Sequence, residues 1–221
     1  MMNRAARLVT AGVVTSVVGI AVAGFCLLRV LTGYATATIP SASMRPTFEP
    51  GDRMFYERVD GAEAGLRRGD VVLYRFPERY QGALVVQRVV ATGGERVAAR
   101  GDGRAQEVTV DGQALDEPYL GSHEGFAPSY EVTVPEGRLF LLGDNRDNSR
   151  DSRSFLDDRG GTVAADAVVG RVVPASALRW LLVGAVAGFV VLVVGVVLGI
   201  VGALGRRREV PVEAPQWAAW G

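Results

Sequence analysis

The sequence predicts a mainly β protein: one exported domain of short strands, a sandwich or barrel, held between two transmembrane helices. Three observations carry that expectation. Two long runs contain no charged residue, and the stretch read as exported between the two spans, residues 32–178, has 147 residues. That interval is one domain's worth of chain, and short β-branched and aromatic runs alternate in it with turn signals.

The first uncharged run is 21 residues, 8–28, and the second is 26, 180–205. A membrane-spanning helix needs about 20 apolar residues, and membrane helices tolerate the glycines of the second run. The organisation read is a cytoplasmic N-terminus (1–7), transmembrane helix 1 (8–31), an exported domain (32–178), transmembrane helix 2 (179–205) and a cytoplasmic tail (206–221). Ala35-Thr36-Ala37 offers the first run a rival reading as a cleaved signal peptide. The apolar core of a signal peptide usually spans only about 7–15 residues. Arg4 and Arg7 precede the first span, and Arg206, Arg207 and Arg208 follow the second. The positive-inside rule then predicts a multi-pass protein of the cytoplasmic membrane, both termini inside and the middle outside. The tail, with Pro211, Pro215, Trp217 and Trp220, reads as a short irregular or interfacial segment.

Within the middle, strands are predicted at residues 54–56, 71–76, 84–91, 108–110, 132–134, 139–142 and 168–173. Pro50-Gly51-Asp52, Gly69-Asp70, Gly93-Gly94, Asp111-Gly112 and Glu136-Gly137 supply the turns between them.

Composition narrows the chemistry. All 24 basic residues are arginine, so no lysine of this chain can be a Schiff-base partner, nucleophile or general base. Asp and Glu also number 24, but residues 32–178 hold 17 Arg against 22 Asp/Glu, so the middle is acidic. An acidic middle argues against nucleic-acid binding, which needs clustered basic residues. One cysteine, Cys26, excludes an intramolecular disulfide, and with one histidine, His123, no multi-histidine or multi-cysteine metal site can form. No cofactor and no metal are expected.

Pro40-Ser41-Ala42-Ser43-Met44-Arg45-Pro46-Thr47 follows the first span closely. Alone it reads as a turn-rich linker. Downstream come Gln87-Arg88-Val89-Val90, then Val108-Thr109-Val110-Asp111-Gly112 leading to Glu117-Pro118-Tyr119-Leu120, and finally the charged run Gly143-Asp144-Asn145-Arg146-Asp147-Asn148-Ser149-Arg150-Asp151-Ser152-Arg153. In that order, over residues 39–173, these motifs resemble the bacterial type I signal peptidases, membrane-anchored serine endopeptidases that remove signal peptides from exported preproteins.

The resemblance implies roles. Ser43 matches the nucleophile, and Ser41 the serine whose hydroxyl joins a backbone N–H in the oxyanion hole. Met44 and Val86 match residues lining shallow apolar pockets for the small side chains, typically alanine, of an Ala-x-Ala cleavage site. Asp144, Arg146, Asp151 and Arg153 match a supporting polar network, and Ser149 a serine that hydrogen-bonds the catalytic amine. Signal peptides and membrane lipid are the implied partners.

One departure stands out. The family's proton acceptor is a desolvated, neutral lysine in a Lys-Arg-Val element, and the matching stretch here is Gln87-Arg88-Val89. An amide cannot take a proton near neutral pH, and the guanidinium of Arg88 stays protonated. Eukaryotic and archaeal relatives use histidine at this place, whereas His123 lies 36 residues beyond Gln87 and reads as a loop residue. Asp144 or Asp151, acting through water, would be an irregular base. Glu95, in place of an Asp, and Ser154-Phe155-Leu156, in place of an aromatic-Trp-Gly element, depart further. Two functions follow: a serine endopeptidase with an altered base, or a catalytically impaired homologue that binds or regulates through a retained peptide groove.

Overall fold

The computed structural model describes residues 4–59, 65–100, 107–120 and 129–208. The loop around His123 and the Trp-containing tail lie outside the described residues. Two units result: the two long helices form one, and Thr32–Ala175 forms the other.

The second unit is the expected β domain. Its strands, in chain order, are β1 (Tyr34–Thr38), β2 (Arg53–Arg58), β3 (Val71–Arg75), β4 (Leu84–Thr92), β5 (Arg96–Arg100), β6 (Glu107–Val110), β7 (Gln113–Ala114), β8 (Tyr130–Thr133), β9 (Arg138–Leu142), β10 (Val163–Ala164) and β11 (Val168–Val173). All seven predicted runs fall on strands. The others, β1, β5, β7 and β10, were not predicted: β1 and β5 are built largely of Ala, Thr and Arg, and β7 and β10 have only two residues each.

Pairing is antiparallel throughout. One sheet has the order β1-β2-β11-β3-β4-β9-β10, and the other is β7-β6-β5-β8. The turn signals sit where the chain reverses. Asp111 and Gly112 both take positive φ (51° and 78°) in the two-residue loop joining β6 to β7, a loop that favours such a pair.

Alternation along β3 and β4 gives each strand two buried faces. Val72, Tyr74 and Val89 point into a cluster with Leu139, Leu141, Val163 and Val168. Val71, Leu73 and Val86 point the other way, onto Ile39, Met44 and Met54. A third cluster, around Phe140, Leu142, Val97 and Val110, joins the two sheets. β4 pairs with β3 along residues 84–88, but its pairing with β9 begins only at Arg88. The Leu84–Gln87 segment of β4 is therefore left with one unpaired edge among the described residues.

The first unit consists of α1 (Arg4–Gly33) and α3 (Ser176–Arg208). Both are long and apolar enough to cross a membrane. The buried residues of α1 are Ala5, Gly12, Gly19 and Cys26, spaced at intervals of seven. They face α3 in antiparallel order. A methyl group on Gly12 would come within 2.5 Å of the Gly199 backbone nitrogen, and one on Gly188 within 2.6 Å of that of Ala23. One on Gly195 would come within 2.5 Å of Ser16. Small residues let backbones approach closely, the packing that holds helices together where no hydrophobic force acts between them. A seven-residue repeat keeps such a seam on one side of a left-handed pair.

Close approach makes the pairing testable with the chain's only thiol. A β-carbon at Gly184 would lie 2.8 Å from Cys26 Sγ, near the separation that an S–S bond of about 2.05 Å imposes. Gly184→Cys should form an intramolecular disulfide on mild oxidation of the full-length protein, read as loss of both free thiols and a reducible gel shift. Retention of both thiols would contradict the pairing.

Candidate active site

Ser43 lies in a single 3-10 turn, Ala42–Met44. Burial fixes both ends of this segment: Ile39 is 1% exposed and Met44 is 0% exposed. Ile39 also exchanges backbone hydrogen bonds with the following turn, donating to Asp52 O and accepting from Gly51 N–H, each at 2.9 Å. Between these anchors Ser43 stays partly exposed, and its Oγ lies 3.0 Å from Ser41 Oγ.

The loop after β9 grips this turn from the other side. Asn145 donates its backbone N–H to Ser43 O at 3.0 Å and its side-chain amide to Ala42 O at 3.0 Å. Gly143 must be glycine for this approach, because a β-carbon there would stand 2.6 Å from Ser43 O and also against Ser149 Oγ.

Buried charge holds the loop. Asp151, fully buried, accepts from the Gly143 N–H at 3.2 Å and from the Arg153 guanidinium at 2.8 Å on each oxygen. Arg153 in turn donates to Arg146 O. Arg146 donates to Gly143 O and pairs with Glu117. Asp144 takes two bonds from Arg88, at 2.8 and 2.6 Å, and one from the Thr47 hydroxyl. The Arg88 guanidinium stacks 3.8 Å from the Tyr119 ring centroid. Burial disfavours the charge of Arg88, but the Asp144 carboxylate outweighs it and raises the pKa, so this cation does not yield a proton.

Five of the residues expected at the site share one groove of about 240 Å³: Ser41, Ser43, Met44, Val86 and Gln87. Tyr80, Leu84, Asn148 and Arg150 are among its other walls. Asp144, Arg146, Asp151 and Arg153 stand behind it as the polar network. Ser149 is close, but its Oγ is buried without a hydrogen-bond partner. The two carboxylates weighed as substitute bases, Asp144 and Asp151, are each paired with a guanidinium. His123 lies outside the described residues.

Gln87 is 1% exposed, and its amide is satisfied at both ends. The Tyr74 hydroxyl donates to Oε1 at 2.7 Å, and Nε2 donates to Arg150 O at 2.9 Å. Tyr80 donates its hydroxyl to the same carbonyl at 2.8 Å. Burial raises the pKa of both phenols, so neither is a proton acceptor near neutrality. Tyr80 is positioned by its neighbour Arg79 on α2 (Pro77–Tyr80). That guanidinium is buried between the rings of Phe76 and Phe155 and bonded to Asp158, Gly161 O and Thr162 O.

Sequence reasoning did not single out Asn145, Thr47, Tyr74, Tyr80 or Arg79. Asn145 lay within the charged run that marked the site. Tyr74 and Gln87 meet diagonally across the β3–β4 pair, where Val72 faces Gln87 and Tyr74 faces Val85. Only a known register would have revealed that contact.

The β scaffold thus sets one serine hydroxyl against another in a groove with apolar walls. The chain belongs to the signal peptidase family, peptidase S26, whose match runs over residues 10–176. It is 35% identical over 155 residues to a probable signal peptidase I-1 of Synechocystis sp., covering 64% of this chain and 71% of that one. Against a probable signal peptidase I of Mycobacterium leprae it is 31% identical over 207 residues, covering 67% and 71%. Against signal peptidase I U of Bacillus subtilis it is 27% identical over 166 residues, covering 72% and 82%.

The network predicts unequal costs for its charges. Asp151→Ala leaves the Arg153 guanidinium buried and unpaired, and should lower unfolding free energy by about 3–5 kcal/mol. Arg45→Ala breaks the exposed pair with Glu49 and should cost less than about 1 kcal/mol. Denaturant unfolding of the two variants beside wild type measures both. Equal costs would contradict the load assigned to Asp151.

Proposed function

We propose that this protein acts on the signal peptides of exported preproteins, as a signal-peptidase-type serine endopeptidase that cuts after small residues of the Ala-x-Ala type. The observation that carries this is the groove in which Ser43 meets Ser41 beside Met44 and Val86. In this reading Ser43 Oγ attacks the scissile carbonyl and Ser41 donates to the developing oxyanion. The groove admits small apolar side chains and excludes bulk. The Leu84–Gln87 edge offers main-chain groups to an extended peptide.

The cell setting follows from the sequence. Two spans, with arginines at both ends, favour a multi-pass protein of the cytoplasmic membrane, both termini inside and the β domain outside. Lipid surrounds α1 and α3 in that arrangement. A substrate's cleavage site, emerging beyond its own apolar helix, would meet a serine tethered only a few residues from α1.

A second reading, binding without rapid turnover, is favoured by a specific observation: Gln87 is hydrogen-bonded at both ends, and the groove holds no free proton acceptor among the described residues. Loss of general-base assistance costs about 10²–10⁴-fold in rate. Cleavage of a preprotein by purified full-length protein separates the readings. Wild-type turnover abolished by Ser43→Ala supports the endopeptidase. Activity only in Gln87→Lys supports the binding protein on an intact scaffold. Wild-type cleavage indifferent to Ser43→Ala would remove Ser43 as the nucleophile.

A further inference from the structure

Gln87 occupies the groove as an amide of fixed polarity. Arg150 O can only accept, so the –NH2 end of the amide must face it, and the carbonyl end must face the Tyr74 hydroxyl. Tyr74 is 0% exposed and its phenol stays protonated, so its O–H remains a donor to Oε1. The Arg150 carbonyl opposes a flip of the amide, which would set carbonyl against carbonyl; the Tyr74 hydroxyl, able to donate or accept, then holds Oε1 as its donor. Nε2 carries two hydrogens, and Arg150 O engages one of them. The side chain lines the same groove as Ser41 and Ser43.

We propose that Gln87 is a peptide-binding residue, donating the second N–H of its amide to a main-chain carbonyl of the peptide in the Ser43 groove, and that Tyr74 and the Arg150 carbonyl are positioning groups that lock the amide as a donor. This rests on the functional reading that the groove binds signal peptides, and it gives position 87 a use that either reading can accommodate. Tyr80 supports the lock, because its hydroxyl shares the Arg150 carbonyl and lies 3.4 Å from that of Tyr74. The lock also explains how a polar side chain that cannot act as a base is tolerated at 1% exposure. A buried amide without partners would be costly, and this one is bonded at each end.

The test is binding of a fluorescein-labelled synthetic peptide, an apolar run ending in Ala-x-Ala, to the full-length Ser43→Ala protein in detergent. Three further substitutions are made in that background. Gln87→Leu removes the donor and Gln87→Glu replaces it by an acceptor of the same shape. Tyr74→Phe keeps the ring and releases the lock. The first two should each weaken binding about tenfold at pH 7.5, the worth of one hydrogen bond, and Tyr74→Phe by less. The decisive readout is the pH profile. Binding by the Gln87→Glu variant should stay weak on both sides of the carboxyl pKa, because the protonated acid has a single O–H and the Arg150 carbonyl takes it, while the parent stays flat. Recovery in acid would mean that the loss came from a buried charge rather than from the missing donor. Equal binding by parent, Gln87→Glu and Tyr74→Phe at pH 7.5 would overturn the inference alone, as would a Gln87→Glu loss that acid fully reverses. No binding by any protein, parent included, would overturn the functional reading and this inference with it.

Discussion

The buried carboxylate of Asp151 is the fixed point of the β domain. Taking a carboxylate out of water is costly unless it is paired and hydrogen-bonded. Here the Arg153 guanidinium and the backbone N–H groups of Gly143 and Arg153 meet that need together. Those bonds hold the loop after β9 close to the sheet, and the loop carries Asn145 to the backbone of Ala42 and Ser43. Removing the carboxylate would free the loop and leave the serine turn gripped from one side only. The position of the candidate nucleophile thus depends on a charge that never touches it.

A second layer of charge ties distant segments to the same frame. Arg88 on β4 binds Asp144, and Asp144 also receives the hydroxyl of Thr47, from the segment just after the serine turn. Tyr119 lies against Arg88, and its hydroxyl donates to Glu117, which pairs with Arg146. Four stretches far apart in sequence thereby meet around one groove. The Glu117-Pro118-Tyr119 element, conspicuous in the sequence without an evident purpose, is the brace for two of the arginines. Lysine would serve poorly in these places, because bidentate contact and stacking on a ring suit a planar guanidinium.

Gln87 shows how local chemistry is set by neighbours. On its own face of β4 it is one buried residue between Val85 and Val89. In three dimensions it is held by Tyr74 from β3 and by the carbonyl of Arg150 from the charged loop. The groove brings the hydroxyls of Ser41 and Ser43 and the amide of Gln87 together.

Much of this was legible in the sequence, and the limits were physical. Charge-free runs long enough to span a bilayer announce helices by composition alone, and β-branched runs between turn residues announce strands. The Ala- and Thr-rich β1 escaped because it is a partly exposed edge strand of small residues, and the Arg-flanked β5 because its buried Val-Ala-Ala is only weakly apolar. The small-residue seam of α1 and α3 was likewise silent, since a glycine in an apolar run signals a helix contact only when its partner is known. Motif order marked Ser41, Ser43, Met44, Val86 and Gln87, and the structure gathers them in one groove. The absence of lysine was readable from composition, and so was its consequence that no lysine of this chain can be a proton acceptor. What stands in that place was decided by tertiary structure. Strand register and a loop carbonyl fix which way the Gln87 amide faces, and no spacing within one stretch of chain encodes a contact between three.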